Sequence, residues 1–247
     1  MALTATALPG LPEVRPGDDL AALILAAGDL HDGEVVAVSH KVLSKAEGRI
    51  RPLATVTPGE RAREIAAEQD RDPRAVQVVL DESVEILRAE RGVLICVTAQ
   101  GFVCANAGVD VSNVPDEDSV LLLPEDPDAS ARALRARFRE LAGAAPAVLI
   151  TDSFGRAWRH GQAEVALGCA GLSPLADWRG RPDAHGRELR ATWIAVADEA
   201  AAAADLARDK DSGEPVVVLR GLERHVTPGD GPGAAALLRD QEEDFFR

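Results

Sequence analysis

Short apolar runs separated by helical stretches, in no regular alternation, constrain most strongly what this chain can fold into. Strands are predicted at residues 34–40 (EVVAVSH), 119–124 (SVLLLP), 147–151 (AVLIT) and 215–221 (PVVVLRG). Residues 92–98 and 101–106 predict a hairpin turning near Gln100 and Gly101. Helices are predicted at 18–28, at 73–81 after Asp72-Pro73, and from Asp126-Pro127 to about Leu141. Thr57-Pro58-Gly59-Glu60 has the spacing of an N-cap, a proline at N1 and a glutamate at N3, predicting a helix to Gln69. Residues 188–198 (ELRATWIAVAD) read as a longer strand, followed by an alanine-rich helix to about Ala207 and a short terminal helix over 233–240. Strands and helices intermix without a strict βαβ repeat. The expectation is therefore a mixed α/β (α+β) protein with mixed sheets and flanking helices, neither Rossmann nor P-loop. Residues 1–247 are expected to form one domain of two closely packed lobes.

With 247 residues, 46% of them hydrophobic, the chain can bury a full core. No apolar run approaches the roughly 18 to 20 residues needed to span a bilayer. The N-terminus MALTATALPGLPEV lacks a basic region followed by an apolar stretch, so a cytoplasmic protein without membrane association is expected. Cys96, Cys104 and Cys169 lack CxxC spacing, which argues against zinc and a disulfide framework; Cys96 and Cys104 read as core residues. A net charge of -14 argues against nucleic-acid binding. It leaves room for an anionic small molecule neutralised by local cations or a metal.

Lysine usage narrows the search. Only Lys41, Lys45 and Lys210 among 27 basic residues are lysines, in a chain that otherwise uses arginine. A lysine kept in such a background suggests a place for a compact ammonium, as at a phosphate.

Three segments carry candidate chemistry. Ser39-His40-Lys41 through Ser44-Lys45 to Gly48 follows a strand and can gather phosphate oxygens, although the P-loop spacing is absent. Asn106 to Asn113 contains Gly108, which permits close backbone approach, and Asp110 and Asn113, which offer hard oxygen donors. Residues 147–162 (AVLITDSFGRAWRHGQ) read as a strand delivering a polar loop with Asp152, Ser153, Arg156 and Arg159 to a sheet edge. Two loops with one carboxylate each suit Mg²⁺ or Mn²⁺, which commonly take one or two carboxylates plus ligand phosphates. The five histidines have no HxxxH or HxH spacing, and only His40 and His160 fall in these segments.

The chain resembles the F420 γ-glutamyl ligase family in its stand-alone form. The resemblance rests on residues 10–14 (GLPEV) with 16–19 (PGDD), 44–49 (SKAEGR), 107–113 (AGVDVSN), 150–162 (ITDSFGRAWRHGQ) and the closing EEDFFR. It implies a ligase that joins L-glutamate to the lactyl carboxylate of coenzyme F420-0, consuming GTP with Mg²⁺ or Mn²⁺ at two sites and with K⁺. It further implies an acyl-phosphate intermediate, further γ-linked additions, and a homodimer. By that resemblance Leu11, Pro12, Glu13, Val14, His40, Lys45 and Asn113 contact GTP, and Lys45, Asp110 and Asp152 are catalytic. Asp110 and Asp152 hold one metal and Ser153 the second, while residues 208–215, with Lys210, close over the nucleotide. The chain departs from the family pattern at His40, Ser153 and Lys210; the last stands where some relatives place a metal-binding glutamine. Another metal-dependent carboxylate–amine ligase or phosphotransferase, or a GTP-sensing module without catalysis, remains open at this point.

Overall fold

The computed structural model describes residues 2–112, 114 and 118–245. The first half contains β1 (Thr4–Ala7), α1 (Leu20–Ala27), β2 (Val35–Ser39), α2 (His40–Ala46), β3 (Ile50–Pro52), α3 (Glu60–Gln69), α4 (Pro73–Asp81), β4 (Ser83–Glu90), β5 (Val93–Thr98) and β6 (Val103–Ala105). The second contains β7 (Ser119–Leu121), α5 (Pro127–Ala142), β8 (Ala147–Arg156), β9 (Arg159–Ala170), β10 (Ala176–Asp177), β11 (Trp193–Ile194), α6 (Val196–Asp205) and β12 (Val216–Arg220).

The largest sheet has the order β1-β12-β2-β8-β9. Only β2 and β8 run parallel, with Val35 opposite Ala147 through Ser39 opposite Thr151; the other pairs are antiparallel. Side chains alternate across this sheet, and both faces are covered. Val36 and Val38 pack with Ile24 of α1 and Leu134 and Phe138 of α5. Val35 and Ala37 pack with the alanines of α6 on the other face. Double burial is why the central strands read as unbroken apolar runs rather than alternating ones.

A second, antiparallel sheet, β4-β5-β6, carries α3 and α4; Ile65, Val76 and Val79 pack onto Leu94 and Cys96. The β3–β7 pair joins the two regions through Leu53, Val78, Val120 and Leu122. The architecture is thus the expected mixed one. Cys96, Cys104 and Cys169 are free and buried, as core residues should be. Among the described residues no helix is long and apolar enough to cross a membrane.

The two helix starts marked by an Asp-Pro pair fall where the sequence places them. Asp72 and Asp126 accept hydrogen bonds from Arg74 N and Ala129 N, each before a proline at the first turn. Other expectations need correction. The helix expected from Thr57 begins at Glu60 with Gly59 as its cap. The connection after β2 is helical, as α2. The strand expected over 188–198 shrinks to Trp193–Ile194, because Val196, Ala197 and Ala200 start α6 and bury against the sheet. The terminal helix is a single 3-10 turn, Ala234–Leu237.

The largest correction concerns residues 152–162. They are a β-hairpin rather than a loop, with β8 pairing to β9 out to Arg156 and Arg159. Trp158 in the turn adopts a left-handed φ of 62°. The sequence predicts no strand at β1, β3, β4, β9 or β10; β4 mixes exposed and half-buried positions, so it lacks a clean alternation.

Gly168 on β9 lies directly under the start of α5, where an added Cβ would stand 2.3 Å from the Pro127 carbonyl. Gly168→Ala is expected to destabilise the fold by about 1–3 kcal/mol, read as a lowered urea midpoint with an unchanged slope.

Candidate active site

The site is built at the carboxyl ends of the two parallel strands, the usual ligand crevice of an α/β sheet. β2 and β8 are paired in register at Ser39 and Thr151, so the following residues, His40 and Asp152, emerge side by side. β2 turns into α2, which places Lys41 and Lys45 four residues apart on one helical face. β8 instead continues as a strand. A register shift against β9 between Ile150 and Thr151 interrupts the ladder just before Asp152 and Ser153, the kind of irregularity that re-aims side chains.

The third wall comes from the turn after β6. Asn106, Ala107 and Gly108 have consecutive left-handed φ values of 52°, 52° and 70°. At Gly108 a Cβ would also collide with Leu123, 2.5 Å away, so only glycine fits. Arg71 donates to the Asn106 side-chain oxygen at 3.0 Å and anchors the turn. Asp110, just beyond, is fixed by two backbone hydrogen bonds with Leu121.

These elements enclose a cavity of about 760 Å³, within the usual size of small-ligand sites. Leu11, Pro12, Glu13 and Val14 line it, with Lys45, Asp110, Asp152, Ser153 and Lys210. These nine residues singled out in the sequence, with Lys41 and Gly108, therefore share one cavity. His40 is not on its surface: it is fully buried, with Nε2 3.4 Å from Asp152 Oδ1 and Nδ1 3.3 Å from Ser44 Oγ. It lies behind Asp152, with Nε2 making no hydrogen bond among the described residues. Asn113 lies outside the described residues. Arg156 and Arg159 sit near the exposed hairpin tip, where Arg156 donates to the His160 carbonyl at 2.8 Å.

The cavity's cations are paired with carboxylates. Lys45 Nζ contacts Glu13 Oε1 at 2.5 Å. Lys41 Nζ contacts Asp110 Oδ2 at 2.6 Å and donates to Ser112 Oγ at 2.7 Å. Burial pushes the Asp110 pKa upward, but the hydrogen bonds from Lys41 and the Ser112 amide outweigh it and hold the carboxyl below its ordinary value. Lys210 Nζ donates to Ser153 Oγ at 2.6 Å and to Asp205 Oδ1 at 3.0 Å.

Cys104 lines the cavity, yet burial, with the Asp152 charge and Cys96 nearby, pushes its thiol up to about 12. It stays protonated at neutral pH and is a poor nucleophile. Among the described residues no three His, Cys, Asp or Glu side chains gather closely enough to hold a metal by themselves. Asp110, Asp152 and the Ser153 hydroxyl, which share the cavity, are all hard oxygen donors. They fit Mg²⁺ or Mn²⁺ with a ligand's oxygens completing the shell.

Glu164, Lys41's partnership with Asp110 and the left-handed turn at 106–108 were not read from the sequence. Glu164 belongs to the site because β9 pairs it with Ser153, and no local pattern signals that pairing. Asp110 supplies a pH test. Its depressed pKa contributes stability above the carboxylate range, and that contribution disappears as pH falls through the folded-state pKa. Asp110→Asn is expected to lower stability at pH 7 and to flatten the stability loss below about pH 4, measured by urea unfolding from neutral pH to pH 2.5.

Comparison with known proteins identifies the family. Residues 10–221 match the family model described as F420-0:Gamma-glutamyl ligase. A coenzyme F420:L-glutamate ligase of Haloarcula marismortui is 48% identical, covering 98% of this chain and 94% of its own. One from Methanopyrus kandleri is 46% identical over 95% of this chain and 94% of its own. Another, from Methanothermobacter thermautotrophicus, is 42% identical over the full length of both. The chain belongs to the F420-0:gamma-glutamyl ligase family.

Proposed function

We propose that this protein joins L-glutamate to the terminal lactyl carboxylate of coenzyme F420-0 and uses GTP to activate that carboxylate. The observation that carries the reading is the placement of lysine: all three lysines of the chain, Lys41, Lys45 and Lys210, line the one cavity that also holds Asp110 and Asp152. An ammonium suits phosphate oxygens, and a scaffold that otherwise uses arginine has kept it only here.

A carboxylate is a poor electrophile, so amide formation needs a better leaving group. In the proposed sequence a carboxylate oxygen of F420-0 attacks the γ-phosphorus of GTP, and the bond to the bridging oxygen breaks to release GDP. The α-amine of glutamate then attacks the acyl carbon of the acyl phosphate. Inorganic phosphate leaves, the amide forms, and the nitrogen loses its extra proton to water or phosphate. Lys45, buried on α2, supplies fixed positive charge to the nucleotide's phosphates, and Glu13 holds its ammonium in place until a phosphate competes for it. Asp110 and Asp152 would hold divalent Mg²⁺ or Mn²⁺, with the Ser153 hydroxyl beside them accepting from Lys210. When bound, such an ion neutralises charge developing on the phosphoryl oxygens. His40 lies behind Asp152, where outer partners of metal-binding carboxylates sit. The segment 208–215 completes the cavity wall and limits water, which would otherwise hydrolyse the acyl phosphate.

Incubation with F420-0, L-glutamate, GTP and Mn²⁺, followed by product mass, tests the reading. A gain of one or more glutamyl units that requires GTP and metal is expected, and the number of units counts the additions. GTP binding or hydrolysis without glutamylation would sink it in favour of a sensing module or a ligase for another carboxylate. Asp152→Ala is expected to reduce turnover by about 100-fold or more while leaving the urea midpoint within error of the parent. Lys45→Ala is expected to raise the KM for GTP by about tenfold, with a smaller effect on the KM for glutamate.

A further inference from the structure

Glu164 is a buried carboxylate that the proposed reaction does not use. It is 5% exposed, lines the cavity, and faces Ser153 across the β8–β9 ladder. A charge so removed from water requires partners. Oε1 accepts the Ser153 hydroxyl proton at 2.8 Å. Oε2 lies 3.5 Å from the Arg208 guanidinium but has no hydrogen bond among the described residues. Its neighbour Lys210 is the informative one. The Lys210 ammonium donates to Ser153 Oγ at 2.6 Å and Asp205 Oδ1 at 3.0 Å, and stands 3.5 Å from Glu164 Oε1. One hydroxyl and two carboxylates from three different elements thus surround a single positive charge. All-oxygen surroundings of that kind are what a bound hard cation receives.

We propose that the Lys210 ammonium is a resident cation of the nucleotide site, supplying the charge that a second metal ion or a monovalent cation would otherwise bring, and that Glu164 positions it. The inference rests on the reading that the cavity binds GTP. Two features favour a role beyond tethering residues 208–215 to the sheet. First, the Lys210 side chain stays 67% exposed despite its three partners, so a phosphate oxygen can reach it. Second, the contacts are unequal. The 2.6 and 3.0 Å bonds to Ser153 and Asp205 fix the ammonium, whereas the 3.5 Å contact to Glu164 leaves an N–H that an incoming phosphate oxygen can take over. Arg208, which also donates to the Pro215 carbonyl at 2.8 Å, stays beside Glu164 when that exchange occurs. Glu164 then keeps a cationic neighbour with the nucleotide bound.

The sign of the Glu164→Gln effect separates this role from simple electrostatics. Deleting a negative charge beside a phosphate site should tighten nucleotide binding if the carboxylate only repels. It should weaken binding if the carboxylate holds Lys210 in place. Calorimetric titration with the β,γ-imido analogue of GTP and Mg²⁺, in tetramethylammonium buffer and again in K⁺ buffer, reads both possibilities without turnover. The parent protein is expected to bind equally in the two buffers. Lys210→Ala and Lys210→Gln are expected to lose about tenfold in affinity without K⁺ and to regain part of it with K⁺. Glu164→Gln is expected to weaken binding and to acquire the same K⁺ response. Lys210 is exposed, so its variants are expected to retain the parent's urea midpoint. Parent-like binding by the Lys210 variants in both buffers, tighter binding by Glu164→Gln, or a K⁺ requirement in the parent would overturn this inference alone. Failure of the parent to bind the analogue at all would overturn the nucleotide reading as well.

Discussion

The parallel pairing of β2 with β8 is the constraint on which the rest of the molecule depends. It is the one parallel contact in a sheet otherwise antiparallel, and both of its faces are buried by helices. Its register is therefore tightly specified, since a one-residue slip would exchange the side chains facing α1 and α5 with those facing α6. That register sets Ser39 opposite Thr151 and so brings His40 within 3.4 Å of Asp152. The packing of Phe138, Leu134 and the α6 alanines is thus indirectly a determinant of the cavity's geometry. Stability and site construction meet at the same two strands.

The chain carries a net charge of -14, and the cavity gathers its three lysines against that background. Each lysine that enters the cavity arrives with carboxylate partners: Glu13 for Lys45, Asp110 for Lys41, Asp205 and Glu164 for Lys210. Pairing holds flexible ammonium groups in defined positions, so less rotamer freedom remains to be lost when a phosphate arrives. It also divides the work. Glu13 is exposed and can release its lysine readily, whereas Glu164 is buried and fixed within the sheet.

Much of the fold was legible where the cause is local. Asp-Pro pairs announced α4 and α5 because an aspartate caps free amides and proline is pre-set for the first helical turn. Doubly buried strands announced themselves as apolar runs. The reading failed where neighbours decide. Residues 152–162 look like a loop because their polar and glycine-rich composition lacks strand character, yet pairing with β9 extends β8 through them. Residues 188–198 look like one strand, but only Trp193–Ile194 pair, and the sheet face offered a better burial for Val196, Ala197 and Ala200 in helical form.

Residue types alone mark the side chains able to do chemistry: three scarce lysines, two aspartates beside apolar strands, and Gly108 with its room for close backbone approach. Those choices are written into residue types and their immediate neighbours. How they come together depends on contacts between distant segments. The tertiary structure moved His40 from the cavity surface to a buried place behind Asp152, joined Lys41 to Asp110 across 69 positions of chain, and brought Glu164 and Lys210 together. The physical reason is that these contacts depend on strand register and on which face of the sheet each residue occupies. Both are settled by the packing of segments far apart in the chain, which no local pattern records.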